Sequence, residues 1–217
     1  MQIIPSILNA NLLNLMPDLK ELEKASVEMI HVDIMDGNFV PNISFGPDFV
    51  AHIAEETTLK QDIHLMVQNP DWIVDQILKY QPESITIHYE ATHDIYRLLQ
   101  KIKDHGVKAG VAINPGTSYE AIEAAIMIAD RILVMTVNPG FGKQKFLKEM
   151  LHKVRKLDLT RQINQYTYKI EVDGGVNDQT IVKCKQAHTD ECVVGSYLFK
   201  NNNPLGNIVK LRQLIEE

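Results

Sequence analysis

The stretch His31-Val32-Asp33-Ile34-Met35-Asp36-Gly37 decides how the rest of the chain is read. An apolar approach, Met29-Ile30, leads into alternating residues and then a glycine, the pattern of a strand running out into a loop. Alternation puts His31, Asp33 and Met35 on one face and Val32 and Ile34 on the other. An imidazole and a carboxylate two apart on one strand can converge on a single cation. Facing a dry interior with no counter-charge, an ionised Asp33 would be very costly to bury. A salt bridge from Asp33 to a lysine or arginine is the plainer solution. Matching polar strand ends further along shift the balance towards a site.

The 217 residues suffice for one sizeable core and are expected to form a single domain over 1–217. Hydrophobic residues make up 45% and charged residues 23%, the range of a soluble globular protein. A net charge of −6 argues against nucleic acid as a partner, while leaving room for a local cationic pocket. Cys184 and Cys192 fit no zinc spacing and read as reduced, buried thiols. Neither a charged, apolar leader nor a bilayer-length apolar run occurs, so the expectation is a cytoplasmic protein with no membrane partner.

Short β-branched runs alternate with stretches of helical period throughout. Strands are expected over 3–8, 29–33, 60–66, 84–88, 108–113, 131–137, 169–172 and 191–194. Helices are expected over 13–25, 47–56, 70–80, 95–105, 118–129, 146–163, 179–186 and 204–217. Pro47 and Pro70 suit first turns, Asp94 and Ser118 suit caps, and Gly106 suits a left-handed C-terminal position. Eight regular strand–helix units predict an α/β fold, a (β/α)8 TIM barrel, ahead of a doubly wound open sheet.

In such a barrel the active site lies at the C-terminal strand ends. His31, Asp33, His64, Asp173 and Ser6 would then share one mouth. Two nitrogens and two carboxylates suit one divalent zinc, manganese, iron(II) or cobalt ion better than the all-oxygen shells of magnesium or calcium. The remaining strand and surface histidines, His88 among them, read as hydrogen-bonded residues rather than ligands. Three glycine-marked turns follow strands six to eight: Gly140-Phe141-Gly142-Lys143, Gly174-Gly175 and Gly195-Ser196. Such turns bring backbone N–H groups close to an anion and read together as a phosphate cradle. Neither a P-loop nor a G-x-G-x-x-G occurs, which argues against a nucleotide. Met35, Met66 and Met135 read first as core, and as a polarisable lining if they ring the mouth.

With these segments assembled, the chain resembles the ribulose-phosphate 3-epimerase family along nearly its full length. The resemblance is carried by Pro5-Ser6-Ile7-Leu8, by His31 to Gly37 with Phe39-Val40-Pro41-Asn42, and by Asp62-Ile63-His64-Leu65-Met66-Val67. It continues through Asn114-Pro115-Gly116-Thr117, Val134 to Gly142, Glu171-Val172-Asp173-Gly174-Gly175-Val176 and Val194-Gly195-Ser196. The resemblance implies a ribulose-phosphate binding barrel and interconversion of D-ribulose 5-phosphate and D-xylulose 5-phosphate in the pentose phosphate pathway. It implies His31, Asp33, His64 and Asp173 as ligands of one divalent metal, with Asp33 and Asp173 also the acid/base pair flanking an enediolate. Ser6 and His64 are implied as substrate contacts and the three glycine turns as the phosphate site. A ketose phosphate is the implied small-molecule partner and a homo-oligomer the implied assembly. Lys143 stands where the family's turn carries glycine, and Asn38 where many relatives carry histidine. These departures keep open a hexulose-phosphate 3-epimerase, such as one acting on D-allulose 6-phosphate. A non-catalytic sugar-phosphate binding protein, or another phosphate-binding barrel isomerase or lyase, is the further alternative.

Overall fold

The structure, a computed structural model, describes residues 1–216. Eight parallel strands follow in chain order: β1 (Gln2–Pro5), β2 (Met29–Met35), β3 (Lys60–Met66), β4 (Ser84–His88), β5 (Lys108–Ile113), β6 (Arg131–Met135), β7 (Lys169–Asp173) and β8 (Glu191–Val194). They pair in the order β1-β8-β7-β6-β5-β4-β3-β2, and a single parallel bridge, Ser6 to His31, closes the ring between β1 and β2. The helices α1 (Leu15–Lys24), α2 (Pro47–Glu56), α3 (Asp71–Leu78), α4 (Ile95–Asp104), α5 (Glu123–Ile126), α6 (Leu151–Asn164), α7 (Ile181–Gln186) and α8 (Pro204–Glu216) alternate with them. The fold is the expected (β/α)8 barrel; Glu217, the expected end of the last helix, lies outside the described residues.

Strand alternation sorts the side chains into two environments. Ile30, Val32 and Ile34 of β2, Ile63 and Leu65 of β3, and Ile85 and Ile87 of β4 join Leu19, Val50 and Ile77 of the helices in one continuous buried layer. Each such side chain contributes about 1.5–3 kcal/mol on burial. The opposite faces fill the barrel's interior, where His31, Asp62, His64, Ser84, Thr86, His88, Arg131, Glu171 and Glu191 are all buried. At its lower end Arg131 donates from Nε to Glu191 (2.8 Å) and from a terminal nitrogen to Asp62 and Ser84. With Glu171 Oε2 also 3.5 Å from Nε, one guanidinium thereby serves carboxylates from three other strands.

Several boundaries differ from the sequence reading, each for a local reason. β1 stops at Pro5, because the Ser6 side chain accepts the Leu8 N–H and turns 7–9 into a 3-10 turn. β2 runs on to Met35, held by β3 in full register. α6 begins at Leu151 rather than at 146, because the Leu147 N–H is taken by the Thr136 carbonyl (2.8 Å) and pins the loop across β6. The span 118–129 divides into a 3-10 turn, 119–122, and the single-turn α5. Asp94 and Ser118 accept N–H groups as capping residues, and Gly106 is left-handed at φ 77°.

The mouth is braced by polar contacts between successive loops. Glu90, just past β4, accepts the Asn114 N–H (2.8 Å) and the Thr117 hydroxyl. Lys153 of α6 donates to the carbonyls of Asn114, Pro115 and Thr117 at 2.6–2.9 Å. Burial alone would raise the Glu90 carboxyl, but hydrogen bonds from His88, Thr117 and the Asn114 N–H outweigh it and hold it at about 2.

A carboxyl depressed in the folded state stabilises above its unfolded value and loses that contribution as pH falls through its folded value. Glu90→Gln should therefore be less stable than wild type at pH 7, by on the order of 1–3 kcal/mol. The gap should close as pH falls from about 4.5 towards 2. Urea unfolding across that range measures it, and a gap independent of pH would contradict the ionic role. A second test concerns interior packing: a Cβ at Gly110 would lie 2.2 Å from Thr86 Oγ1 and 3.2 Å from its Cα. Gly110→Ala should cost about 1–3 kcal/mol in denaturant unfolding; wild-type stability would mean the barrel has slack there.

Candidate active site

The polar strand ends do converge. His31 and Asp33 share the inner face of β2, His64 stands in register with Asp33 on β3, and Asp173 ends β7. One ligand atom from each of the four lies within 4.8 Å of every other. His31 Nε2 is 3.3 Å from both His64 Nδ1 and Asp33 Oδ1, which is itself 3.1 Å from His64 Nδ1. Asp173 Oδ2 completes the group 3.8 Å from His64 Nδ1. A tetrahedral ion with bonds of about 2.0–2.1 Å spaces its ligand atoms about 3.3 Å apart. The four side chains thus fit a divalent cation in both chemistry and spacing.

Their outer partners fit as well. His31 Nδ1 lies 2.7 Å from Asp62 Oδ2, and Asp62 is held in turn by Ser84 and Arg131. A carboxylate behind a histidine fixes its tautomer and leaves the other nitrogen free to ligate. Ser6 donates its hydroxyl to Asp33 Oδ2 (2.7 Å). Among the described residues Asp33 pairs with no lysine or arginine. Its ionic partners are His31 and His64, and Arg131 lies one layer lower, against Asp62.

The electrostatics of the cluster call for positive charge. Burial alone would raise Asp33, but His31 and His64 hold it well below the usual carboxylate range. Burial opposes charge on His31, yet Asp33 and Asp62 on either side raise it well above an ordinary imidazole. Burial pushes Asp173 up to about 7, with the negative charge of Asp33 adding to the effect. His64 and His88 are lowered, first by burial, His88 to about 4.

Above the cluster opens a cleft of about 520 Å³, its mouth included. Asp33, Asp173 and Ser6 line its floor, and Met35, Met66 and Met135 its walls. The three methionines are at most 3% exposed, so the core and lining readings meet in one position. Met35 and Met66 pack with Val40, and Met135 with Leu133 and Val137, as small apolar groups separate from the main core. His31 and His64 are wholly buried beneath the cleft, which leaves His64 facing Asp33 and His88 rather than the opening.

The far end of the cleft is made of the glycine turns. Gly140, Phe141, Gly142 and Lys143 line it, joined by Gly174, Gly175, Gly195 and Ser196. Among the described residues no protein acceptor takes the N–H of Gly142, Gly175, Gly195 or Ser196. Gly174 sits at φ 114°, with a virtual Cβ 2.3 Å from Val137, so only glycine lets the chain pass there. Gln144 donates to the carbonyls of Asn138 and Phe141, and Asn42 to that of Gly140, bracing the first turn. Lys143 adopts φ 62° and is, among the described residues, the one cation lining the cleft.

Three neighbours of the cluster escaped the sequence reading: Asp62 behind His31, and His88 with Glu90 behind His64. His64 Nε2 lies 2.8 Å from His88 Nε2, and His88 Nδ1 lies 3.3 Å from Glu90 Oε2. The period-two spacing of Asp62 and His64 carried the one available signal, since it puts both on the same face.

Comparison with known proteins agrees with this geometry. The model of the ribulose-phosphate 3 epimerase family matches residues 2–199. A ribulose-phosphate 3-epimerase from Bacillus subtilis (strain 168) is 38% identical, covering 97% of this chain and 98% of that protein. Another, from Rhodobacter capsulatus, is 42% identical over 93% of this chain and 87% of its own length. Among solved structures, a 3-hexulose-6-phosphate synthase from Salmonella typhimurium superposes with a TM-score of 0.72 at 14% identity, covering 100% of this chain and 99% of that one. That likeness concerns the barrel alone. The full-length sequence match and the cluster at the strand ends make this chain a member of the ribulose-phosphate 3-epimerase family.

Proposed function

We propose that this chain interconverts D-ribulose 5-phosphate and D-xylulose 5-phosphate, with Asp33 and Asp173 as the two acid/base groups. The single observation that carries the reading is their placement. They stand on β2 and β7, with β1 and β8 between them around the ring, their ligand oxygens within 4.8 Å, and both line one cleft floor. Inverting a carbon beside a ketone requires a proton to leave one face and another to arrive on the opposite face. One aspartate takes the C3 proton, the electron pair passes into a flat enediolate, and the other aspartate delivers a proton to the far side of C3. The roles exchange in the reverse direction, so neither carboxyl is permanently acid or base.

His31, Asp33, His64 and Asp173 would hold a divalent cation. When bound, it would act as a Lewis acid on the ketone and adjoining hydroxyl, narrowing the acidity gap between the carbon and a carboxyl group. Ser6 orients Asp33 by its 2.7 Å hydrogen bond. The methionine walls exclude water from the flat intermediate without offering a competing proton donor. At the far end, the N–H groups of Gly142, Gly175, Gly195 and Ser196 are free to receive the phosphate, with Lys143 adding charge. Gripping the phosphate there fixes C3 between the two carboxyls.

Asp173→Asn, assayed with excess divalent metal, should lower epimerisation by about 10²–10⁴-fold. It should equally slow deuterium uptake from solvent at C3 while leaving the circular dichroism spectrum unchanged. Turnover near wild type would remove Asp173 from the chemistry. Lys143→Ala should raise KM for the sugar phosphate about 2- to 5-fold with kcat little changed, since an exposed charge contributes modestly. That penalty should shrink as salt is added; an effect on kcat alone would exclude a phosphate contact.

A further inference from the structure

The geometry points to His88 and Glu90 as positioning residues that set which nitrogen of His64 is free to ligate. This inference rests on the metal reading of the His31, Asp33, His64 and Asp173 cluster and extends it outward. His64 turns Nδ1 towards the cluster, 3.1 Å from Asp33 Oδ1, and Nε2 towards His88 Nε2 at 2.8 Å. A nitrogen that ligates keeps its lone pair, so the proton of His64 must sit on Nε2 and be donated to His88. His88 then accepts at Nε2 and carries its own proton on Nδ1, where the Glu90 carboxylate accepts it at 3.3 Å.

Ligation at Nδ1 requires that assignment, and each link accommodates it. Two imidazole nitrogens 2.8 Å apart share one proton, and both rings are wholly buried, with no solvent to supply another partner. His88 is held between rings, 4.9 Å from His64 and 4.8 Å from Phe39, centroid to centroid. Glu90 is itself fixed, one oxygen taken by the Asn114 N–H and the Thr117 hydroxyl, the other facing His88.

The relay opposes a competing pull. In the absence of a cation, Asp33 Oδ1 is an acceptor for a proton on His64 Nδ1, the tautomer that blocks ligation. By holding the His88 proton on Nδ1, Glu90 leaves His88 Nε2 as an acceptor and favours the productive form of His64. Glu90→Gln should invert this. Its amide oxygen stays with Asn114 and Thr117, its NH₂ faces His88 Nδ1, and the His88 proton moves to Nε2. The His64 proton is then driven to Nδ1, onto the ligating atom.

The test strips wild type, Glu90→Gln, His88→Leu and His88→Gln of metal and titrates each with cobalt(II) against a chromophoric chelator. Glu90→Gln and His88→Leu should bind cobalt about 10–100-fold more weakly, the usual consequence of removing a partner behind a ligating histidine. His88→Gln places an amide oxygen where Nε2 stood and should recover most of the affinity. Nitrogen-15 NMR of the zinc-loaded wild type should find the His88 proton on Nδ1. Wild-type cobalt affinity in folded Glu90→Gln, or a His88 proton on Nε2, would overturn the relay. Should His88→Leu fail to fold, Glu90→Gln, whose site is partly exposed, carries the same decision. Failure of wild type itself to bind cobalt or zinc would sink the metal reading and the relay together, whereas equal affinities across the variants would sink the relay alone.

Discussion

The barrel's interior carries more negative charge than its own cations can neutralise, and the site is organised by that imbalance. Five carboxyls, Asp33, Asp62, Glu171, Asp173 and Glu191, project inward from four strands. Arg131 answers Asp62 and Glu191 at the lower end, with Lys169 reaching Glu191 from the rim at 2.6 Å. Burial and the nearby charge of Asp62 push Glu171 well above an ordinary carboxyl, so it is relieved by taking up a proton. Among the described residues the upper pair, Asp33 and Asp173, has neither arginine nor lysine beside it, and its cationic neighbours are imidazoles. Isolated charges so placed would be prohibitively costly. A divalent cation, or a proton on His31 in its place, balances them.

That division explains why one rule, polar residues at strand ends, gave access to the site. The outward faces of β2 to β7 are, but for Gln61, so uniformly aliphatic that any polar residue on the inward face is conspicuous in the sequence. His31, Asp33, His64 and Asp173 could be picked out because each directly follows an aliphatic residue of the opposite face, Ile30, Val32, Ile63 and Val172. The glycine turns were legible for a related reason, since backbone at positive φ or in close approach excludes most side chains.

Other features depended on partners remote in sequence. Asp62 was read only as part of a motif, because its importance comes from Arg131, 69 positions away, and from the register that sets it under His31. His88 looked like any strand histidine until β3 and β4 brought it against His64. The ends of β1, α5 and α6 were misjudged because Ser6, Thr136 and the braced loops over the mouth override local helical or strand preference. Period and propensity describe a segment, whereas these boundaries are set by what the segment meets.

The seam between the first and second strands has a consequence of its own. Every other adjacent pair is joined by a ladder, but here one bridge, Ser6 to His31, completes the circle, and the Ser6 hydroxyl also fastens Asp33. Closure of the sheet and assembly of the His/Asp cluster therefore share the same two residues. A molecule or ion that tightens the floor also stitches the ring's weakest join, so occupancy would be felt as slower breathing of the amino-terminal strand.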